Sequence, residues 1–169
     1  KQLNLKIKYR ESFRPFAPSV LREDASNWFD IDVDSPYMLL VADIFHDKKL
    51  PMNDEQNTLF GIDKLNVARS EIPAVTHIDY SARIQTVDAE TNPRYHALIT
   101  RFKALTQCPV LVNTSFNVRG EPIVNTPEDA FRCLMGTELD FLAIGNCILH
   151  KTEQNPALII RYENEFELD

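Results

Sequence analysis

The spacing of apolar and polar residues predicts several β-strands. Residues 3 to 9 alternate between apolar and polar side chains, which is the period of a half-buried strand, with Lys8 on its polar side. The apolar run PYMLLVADI, residues 36 to 44, is typical of a buried strand. AVTHID and ARIQTV, residues 74 to 79 and 82 to 87, are separated by a short connection and predict a hairpin.

Helical patterns separate these strands. From Pro93 onward, apolar residues recur at the spacing of an amphipathic helix that packs on a sheet. A second helix is expected from Thr126 to Gly136, because a hydroxyl cap is followed by a proline and two acids. Residues 22 to 29 predict a short helix, and residues 46 to 70 an excursion loop. Further strands are expected at PVLVN (109 to 113), DFLAIG (140 to 145), CILHK (147 to 151) and, as an edge strand, ALIIRY (157 to 162).

This order of elements favours an α+β or mixed-sheet α/β domain. Strands in runs and hairpins, interrupted by two helices, differ from the regular alternation of a doubly wound nucleotide fold. A length of 169 residues with 44% apolar content suits one globular domain, residues 1–169. Because the chain starts with Lys and its first residues already have a strand pattern, we expect it to be a piece of a longer protein.

Charge and cysteine content narrow the class of partner. Asp and Glu number 25 against 18 Lys and Arg, so nucleic acid and anionic membrane surfaces are disfavoured, whereas a small anion in a local basic pocket is compatible. No apolar run approaches the roughly 20 residues of a membrane span. Cys108, Cys133 and Cys147 have no metal-ligand spacing, which favours buried, reduced thiols in a cytoplasmic protein.

A basic group near the start of the chain is the first candidate site. Lys8, Arg10 and Arg14 lie in KYRESFR, where neighbouring prolines and aromatic residues would hold the arginine stems. Guanidinium forks suit bidentate capture of phosphate or carboxylate, and lysine adds a compact charge. The alternative is that Lys8 is solvated and that Arg10 pairs with Glu11 or Glu23.

Arg83 and His77 lie in the expected hairpin, and for each a role in a site competes with a structural alternative. Arg83 occupies a strand, so if buried it needs an anionic partner; the alternative is an exposed residue on the solvated face. His77 and Asp79 are two apart and share a face, but a metal site needs a third ligand, and the sequence positions none. A structural histidine is the favoured interpretation.

Polar side chains follow the apolar strand PVLVN. Asn113, Thr114, Ser115 and Asn117 offer amides and hydroxyls where a buried strand meets a loop, and Gly120 permits close approach of the backbone. Such a mixture can converge on a ligand oxygen or a purine edge. The alternative is ordinary turn chemistry, in which these side chains bond to the backbone of a tight loop. The sequence contains no P-loop, GxGxxG, HExxH or GxSxG motif.

Four segments together resemble the C-terminal half of the O-carbamoyltransferase family, whose members act in nodulation-factor, cephamycin and tobramycin biosynthesis. The segments are ESFRPFAPSVL, IPAVTHIDYSARIQTV, PVLVNTSFNVRGEPIVNTPEDAFRC and DFLAIGNCILHK. The resemblance covers roughly residues 3 to 151. It implies a YrdC-like fold, a twisted mixed sheet flanked by helices with a concave basic cavity. The KxR…SxN tetrad of such domains appears here as Lys8-Tyr9-Arg10 and Ser115-Phe116-Asn117.

The resemblance also implies a reaction. In the family, this half converts carbamoyl phosphate and ATP to carbamoyl adenylate and pyrophosphate, and an N-terminal half related to actin and sugar kinases carries the carbamoyl group to an acceptor hydroxyl. Mg²⁺ is expected as the ATP counterion, with no dedicated metal ligands. The implied roles are phosphate and carbamoyl contacts for Lys8, Arg10, Arg14 and Arg83, hydrogen bonds to carbamoyl, adenine or ribose for Asn113, Thr114, Ser115 and Asn117, and a rim position for Arg119.

The chain departs from the family pattern in two places. Relatives carry a GPRALG-type segment with another arginine upstream of KxR, which this chain does not contain, and DYSAR stands beside Arg83 where relatives often have DGTAR. The acceptor-transferring half is also expected to be missing, so the isolated chain is not expected to complete a transfer. Two alternatives stay open: a threonylcarbamoyl-adenylate synthase using threonine, bicarbonate and ATP, and a non-catalytic nucleotide- or RNA-binding module.

Overall fold

A computed structural model describes residues 1–159 of the chain. These residues belong to two compact units. The terminal unit combines Lys1–Arg14 with the chain from Ser115 onward, and the sheet unit is Pro15–Thr114. The prediction of one domain over residues 1–169 stays a prediction.

The described elements confirm an α+β fold. The α-helices are α1 (Gln2–Lys6), α2 (Ala25–Trp28), α3 (Asp54–Thr58), α4 (Gly61–Leu65), α5 (Pro93–Thr106) and α6 (Pro127–Gly136). The strands are β1 (Ala17–Leu21), β2 (Leu40–Asp43), β3 (Ser81–Val87), β4 (Val110–Asn113), β5 (Phe141–Ile144) and β6 (Cys147–His150). Short 3-10 turns lie at Arg22–Asp24, His46–Lys48, Pro73–Val75, Lys151–Glu153 and Pro156–Leu158.

The sheet unit is built on a mixed four-stranded sheet of the described residues, in the order β2-β3-β1-β4. Strand β1 is parallel to β3 and antiparallel to β4, and β2 is antiparallel to β3. Because β1 is central, all five of its residues are buried. Helix α5 covers the sheet by packing Ile99 against Leu21 and Val87. Helix α5 begins where predicted, with Pro93 in the first turn and Asn92 accepting the backbone N–H of Tyr95.

The terminal unit is organised around α6 and the β5–β6 hairpin. The Thr126 hydroxyl accepts the Asp129 backbone N–H, and the Asp129 carboxylate accepts the Thr126 N–H, a reciprocal capping box. The apolar face of the helix, including Leu134, packs on Leu142 of β5. Cys133 of the same helix is buried against Val118.

The prediction of a strand over residues 3 to 9 is wrong. This segment forms α1 and then turns, with Asn4 and Lys8 buried and Leu5 about half exposed. In a strand, Asn4, Lys6 and Lys8 would share one face, but Lys6 is exposed, so the period-2 alternation of apolar residues was misleading. The side-chain amide of Asn4 stabilises the turn by donating to the carbonyls of Ser12 (3.3 Å) and Arg14 (2.8 Å).

The predicted hairpin over residues 74 to 87 is also wrong. Its second half is β3, but its first half contains the 3-10 turn at Pro73–Val75 and a reversal at Tyr80, where φ is 67°. Strand β3 pairs with β1 and β2 instead. Proline lacks the N–H that a ladder needs, which explains why the chain turns there.

Other predictions hold in part. Strand β2 is shorter than residues 36 to 44 and lies exposed at the sheet edge, and the 46 to 70 segment contains α3 and α4. Residues 22 to 29 form a 3-10 turn followed by α2, and the strands predicted around 110, 141 and 147 are present. The edge strand predicted at ALIIRY begins instead as a 3-10 turn, and its residues 160 to 162 lie outside the described residues.

Two further expectations concern thiols and membranes. Cys133 is buried, but Cys108 is half-buried and Cys147 exposed, so burial of all three is wrong; all three are free thiols. Cys147 lies on the short β5–β6 hairpin, most of whose residues face outward. Among residues 1–159, no helix is long and apolar enough to cross a membrane.

Candidate functional site

Lys8 is the centre of the candidate site in the terminal unit. Its side chain is 4% exposed, and its ammonium lies close to four oxygen atoms. The three N–H groups of Nζ are shared among the Ser115 carbonyl (2.7 Å) and hydroxyl (3.2 Å) and the Asn117 carbonyl (2.7 Å) and side-chain Oδ1 (2.6 Å). All four oxygens belong to uncharged groups. Lys8 makes no ion pair within the described part of the chain. Its partners are neutral dipoles, and the Glu121 carboxylate favours the charged form from beyond ion-pair distance.

The backbone around Lys8 is held by contacts with distant parts of the chain. Tyr9 adopts a positive φ of 48°, which turns the chain after Lys8, and its hydroxyl donates to the Gly136 carbonyl at 3.1 Å. The backbone N–H of Arg119 donates to the Lys8 carbonyl at 3.1 Å. The end of α6 and the loop after Ser115 therefore fix the position from which the lysine side chain extends.

Asn117 connects the two sides of this cluster. Its Oδ1 accepts both the Lys8 ammonium and the Ser115 hydroxyl, the latter at 2.6 Å. Its side-chain amide donates to the Glu121 carbonyl at 2.8 Å, which closes the loop around Gly120, where φ is 78°. Glycine adopts this backbone conformation without steric cost. These residues therefore make the loop contacts that the sequence left open as an alternative, and their ligand roles stay predictions.

Burial and neighbouring cations lower the basicity of the site. Burial, followed by the charge of Arg10, lowers the pKa of Lys8 from its usual 10.5 to about 8. Burial and the nearby Arg14 lower the pKa of Arg10 as well. Burial raises the pKa of the adjacent Cys133 thiol to about 11, so near neutral pH this sulfur is protonated and adds no negative charge.

Arg10 is oriented by the buried Asn4. Its Nε donates to Asn4 Oδ1 at 2.8 Å, while the Asn4 amide donates to the carbonyls of Ser12 and Arg14. Asn4 is fully buried, so each of its polar atoms needs these partners. Sequence reasoning missed this residue, because its role depends on where two later carbonyls lie.

Arg14 and Arg119 converge on the carboxylate of Glu11. Arg14 Nε lies 3.0 Å from one carboxylate oxygen, and Arg119 Nη1 lies 3.7 Å from the other. The pKa of Glu11 is lowered by a hydrogen bond from its own backbone N–H and by the charges of Arg14, Arg119 and Arg10. Arg14 is more than half exposed, so the expectation that its stem is held against the core is wrong. The sequence offered Glu11 as an alternative partner of Arg10, and in the structure its ion pairs are with Arg14 and Arg119.

The remaining candidates lie in the sheet unit. Arg83 is exposed, lies opposite Val41 in the β2–β3 ladder, and lines a cavity of about 270 Å³. The Asn113 amide donates to the Gln85 side chain at 2.6 Å, so Asn113 has a structural partner at the end of β4. Thr114 follows it and is half-buried.

His77 has the structural partner that the sequence favoured, but it also lines the Arg83 cavity. Its Nδ1 lies 3.0 Å from the Ser81 hydroxyl oxygen. In residues 1–159, no three His, Cys, Asp or Glu side chains are grouped so that they could hold a metal ion.

Comparison with known proteins identifies the family. The family described as Carbamoyltransferase C-terminus matches residues 1–151. The chain is 61% identical over 168 residues to Uncharacterized protein sll1178 of Synechocystis, covering 99% of this chain and 27% of that protein. It is 37% identical to Nodulation protein NolO of Bradyrhizobium diazoefficiens, covering 89% of this chain and 24% of that protein.

A third relative has an enzyme name. The chain is 31% identical to the 3'-hydroxymethylcephem-O-carbamoyltransferase of Amycolatopsis lactamdurans, covering 87% of this chain and 24% of that protein. The chain therefore spans about a quarter of the length of these curated relatives. With the family match covering most of its length, the chain belongs to the carbamoyltransferase C-terminal domain family.

Proposed function

We propose that the chain is the part of a longer carbamoyltransferase that binds ATP and carbamoyl phosphate and forms carbamoyl adenylate. An N-terminal domain related to actin and sugar kinases would then transfer the carbamoyl group to an acceptor hydroxyl. Family membership and the cephem-carbamoylating relative support carbamoyl transfer. The observation that carries the adenylate step is the buried Lys8 ammonium, which has four neutral oxygen partners and a guanidinium nearby.

The proposed reaction balances with water as a co-reactant. Water hydrolyses carbamoyl phosphate to carbamate and phosphate. A carbamate oxygen then attacks the α-phosphorus of ATP, the bond to the β-phosphate oxygen breaks, and pyrophosphate leaves with the electron pair. Negative charge develops on phosphoryl oxygens, so fixed cations and hydrogen-bond donors lower the barrier by positioning and electrostatic stabilisation.

The proposed roles follow from the chemistry of each group. Lys8 and Arg10 bind phosphoryl oxygens. Lys8 is buried, Arg10 is half-buried, and both donate hydrogen bonds to uncharged groups that orient them. Arg14 and Arg119 bind the same class of oxygen at a more exposed position. Ser115 and Asn117 position Lys8 and offer hydrogen bonds to the carbamoyl group or nucleoside.

The sheet unit contributes further proposed contacts. Arg83 binds a phosphoryl or carbamoyl oxygen in the cavity it lines, and Asn113 and Thr114 bind the nucleoside. Mg²⁺ would enter as the counterion of ATP, held by the phosphates, because residues 1–159 offer no grouped metal ligands.

The function is tested by measuring pyrophosphate release with the longer protein. We expect release from ATP to require carbamoyl phosphate, together with formation of carbamoyl adenylate detected by mass spectrometry. Release that instead requires threonine and bicarbonate would indicate the synthase alternative. Binding of ATP without pyrophosphate release under either condition would indicate a nucleotide-binding module. Pyrophosphate is measured because contaminating ATPases release phosphate and not pyrophosphate. The control omits carbamoyl phosphate.

Glu11 should compete with anionic ligands for the arginine cluster. Its carboxylate lies against Arg14 and Arg119, so a phosphate must displace it or share its cations. We expect Glu11→Gln to bind pyrophosphate about three- to fivefold more tightly, since exposed ion pairs contribute up to about 1 kcal/mol. Calorimetry at low salt measures this. Glu138→Gln, which breaks an exposed ion pair with Lys6 elsewhere in the terminal unit, is the matched control. Equal or weaker binding by Glu11→Gln would contradict the competition.

A further inference from the structure

The sheet unit contains a small cavity with two polar groups of different character. Its volume is about 270 Å³, and its lining is formed by Pro15, Phe16, Ala17, Val41, His77 and Arg83. Most of this wall is apolar, so the polar atoms of His77 and Arg83 provide the orientation of any ligand held there. Arg83 is exposed, and its guanidinium makes no hydrogen bond or ion pair with the rest of residues 1–159, so its donors are available to a ligand.

The hydrogen bonds around His77 determine which ring nitrogen carries the proton. The Ser81 hydroxyl donates to Asp79 Oδ1 at 2.7 Å. Hydrogen bonds from the Ser81 side chain and backbone lower the pKa of Asp79, so near neutral pH this carboxylate can only accept. Since the hydroxyl has one hydrogen, and it is directed to Asp79, Ser81 Oγ must accept from His77 Nδ1, 3.0 Å away.

This relay leaves the other ring nitrogen as an acceptor. In a neutral imidazole with the proton on Nδ1, Nε2 has the lone pair and accepts a hydrogen bond. No partner for Nε2 occurs within residues 1–159. Because His77 and Arg83 both line the cavity, an accepting Nε2 and the Arg83 donors would fit a ligand with a donor next to an oxygen acceptor.

A primary carbamoyl group has this pattern. Its NH₂ group donates, and its carbonyl oxygen, or a phosphoryl oxygen across the anhydride bond of carbamoyl phosphate, accepts. An acetyl group has nearly the same size and shape but presents a methyl group that cannot donate. The apolar walls would accept either group, so discrimination must come from the hydrogen bond to Nε2.

We propose that His77 is the residue that recognises the carbamoyl NH₂ group, with Ser81 and Asp79 holding its ring in the accepting tautomer and Arg83 binding the adjacent oxygen. This assignment rests on the proposed function for the identity of the ligand, and it names a specificity residue that the carbamoyl-adenylate proposal does not require. His77 is a binding residue, and Ser81 and Asp79 are positioning residues.

The first test compares the binding of carbamoyl phosphate with that of acetyl phosphate. We expect the parent protein to prefer carbamoyl phosphate by about tenfold, and His77→Phe to lose most of that preference, because one neutral hydrogen bond is worth roughly three- to tenfold in affinity. His77→Gln, which offers an acceptor oxygen, should retain part of it. His96→Gln is the control, since His96 pairs with Glu23 away from the cavity lining.

The second test uses the unmodified protein and so does not depend on a variant folding. With ¹⁵N-labelled histidine, NMR should show the Nδ1–H tautomer for His77, and carbamoyl phosphate should shift its Nε2 signal whereas acetyl phosphate should not. The signals of His46, His96 and His150 serve as internal references. The opposite tautomer, equal shifts with both ligands, or an unchanged preference in His77→Phe would each overturn the assignment.

The two proposals fail in different ways. Absence of carbamoyl-phosphate-dependent pyrophosphate release would reject the proposed function, while the NMR experiment still reports whether His77 binds the carbamoyl group. Normal adenylate formation with an unchanged ligand preference in His77→Phe would reject the His77 assignment and leave the proposed function standing. Ser81→Ala tests the positioning role by itself. It removes the hydroxyl next to His77 Nδ1 and should change the tautomer ratio of His77, whereas Ser81 does not line the cavity.

Discussion

Lys8→Met is expected to lower the kcat/KM of carbamoyl-phosphate-dependent pyrophosphate release by at least about 100-fold. Methionine has a similar length and apolar stem, so it fills the same space without the charge. Removing one preorganised donor from developing negative charge typically costs about 100- to 1,000-fold. The effect should be at the upper part of that range, because Lys8 is buried and no carboxylate within residues 1–159 is in contact with its ammonium.

The pH dependence gives this prediction a second measurement. Below about pH 8, Lys8 is an ammonium; as the pH rises through its lowered pKa of about 8, the charge is lost and anion binding weakens. The profile of kcat/KM should therefore fall above about pH 8, and a bound phosphate should move the corresponding fall in kcat to higher pH. Lys8→Arg is the control, since it stays charged across this range. A Lys8→Met profile that keeps the same fall would show that another group titrates.

Helices α5 and α6 were predictable because their signals are local. Helix α6 begins at the Thr126 cap, and the capping box reaches just three residues along the chain to Asp129. Helix α5 has the same kind of start at Asn92 and Pro93. Such signals act within one turn of helix, so they can be recognised without knowing what packs against the helix.

The start of the chain was not predictable for the opposite reason. Helix α1 has five residues, too short to be stable by itself, and the residues around it are tied to the loop at Arg119 and to Gly136. Those contacts join positions more than 100 residues apart. Local alternation of apolar residues favoured a strand, and tertiary contacts determined a helix.

The candidate site was partly predictable in the same sense. The meeting of Lys8 with Ser115 and Asn117 was expected from the resemblance and is present in the structure. The buried support from Asn4 and the tautomer of His77 could not be expected, because each depends on the exact position of a carbonyl or hydroxyl oxygen. The ligand roles of these residues stay predictions.

We expect Asn117→Asp to show that phosphate binding depends on the positive charge of Lys8 and not merely on the position of its side chain. A carboxylate in place of the amide would lie next to the Lys8 ammonium, since Oδ1 of Asn117 is 2.6 Å from Nζ. An opposite charge at this distance typically raises a lysine pKa by one or more units, so the fall in kcat/KM should move from about pH 8 to about pH 9 or higher. The same carboxylate cancels the charge offered to phosphate, so kcat/KM at neutral pH should drop by about 100-fold.

Asn117→Ala separates this charge effect from damage to the loop. Both variants lose the hydrogen bond from the Asn117 amide to the Glu121 carbonyl, which should reduce the free energy of unfolding by about 1 kcal/mol in each. Alanine adds no charge, so its kcat/KM should fall without a shift of the profile to higher pH. If the two variants had identical pH profiles, the loss would come from the loop, and the ammonium of Lys8 would not be the group that binds the anion.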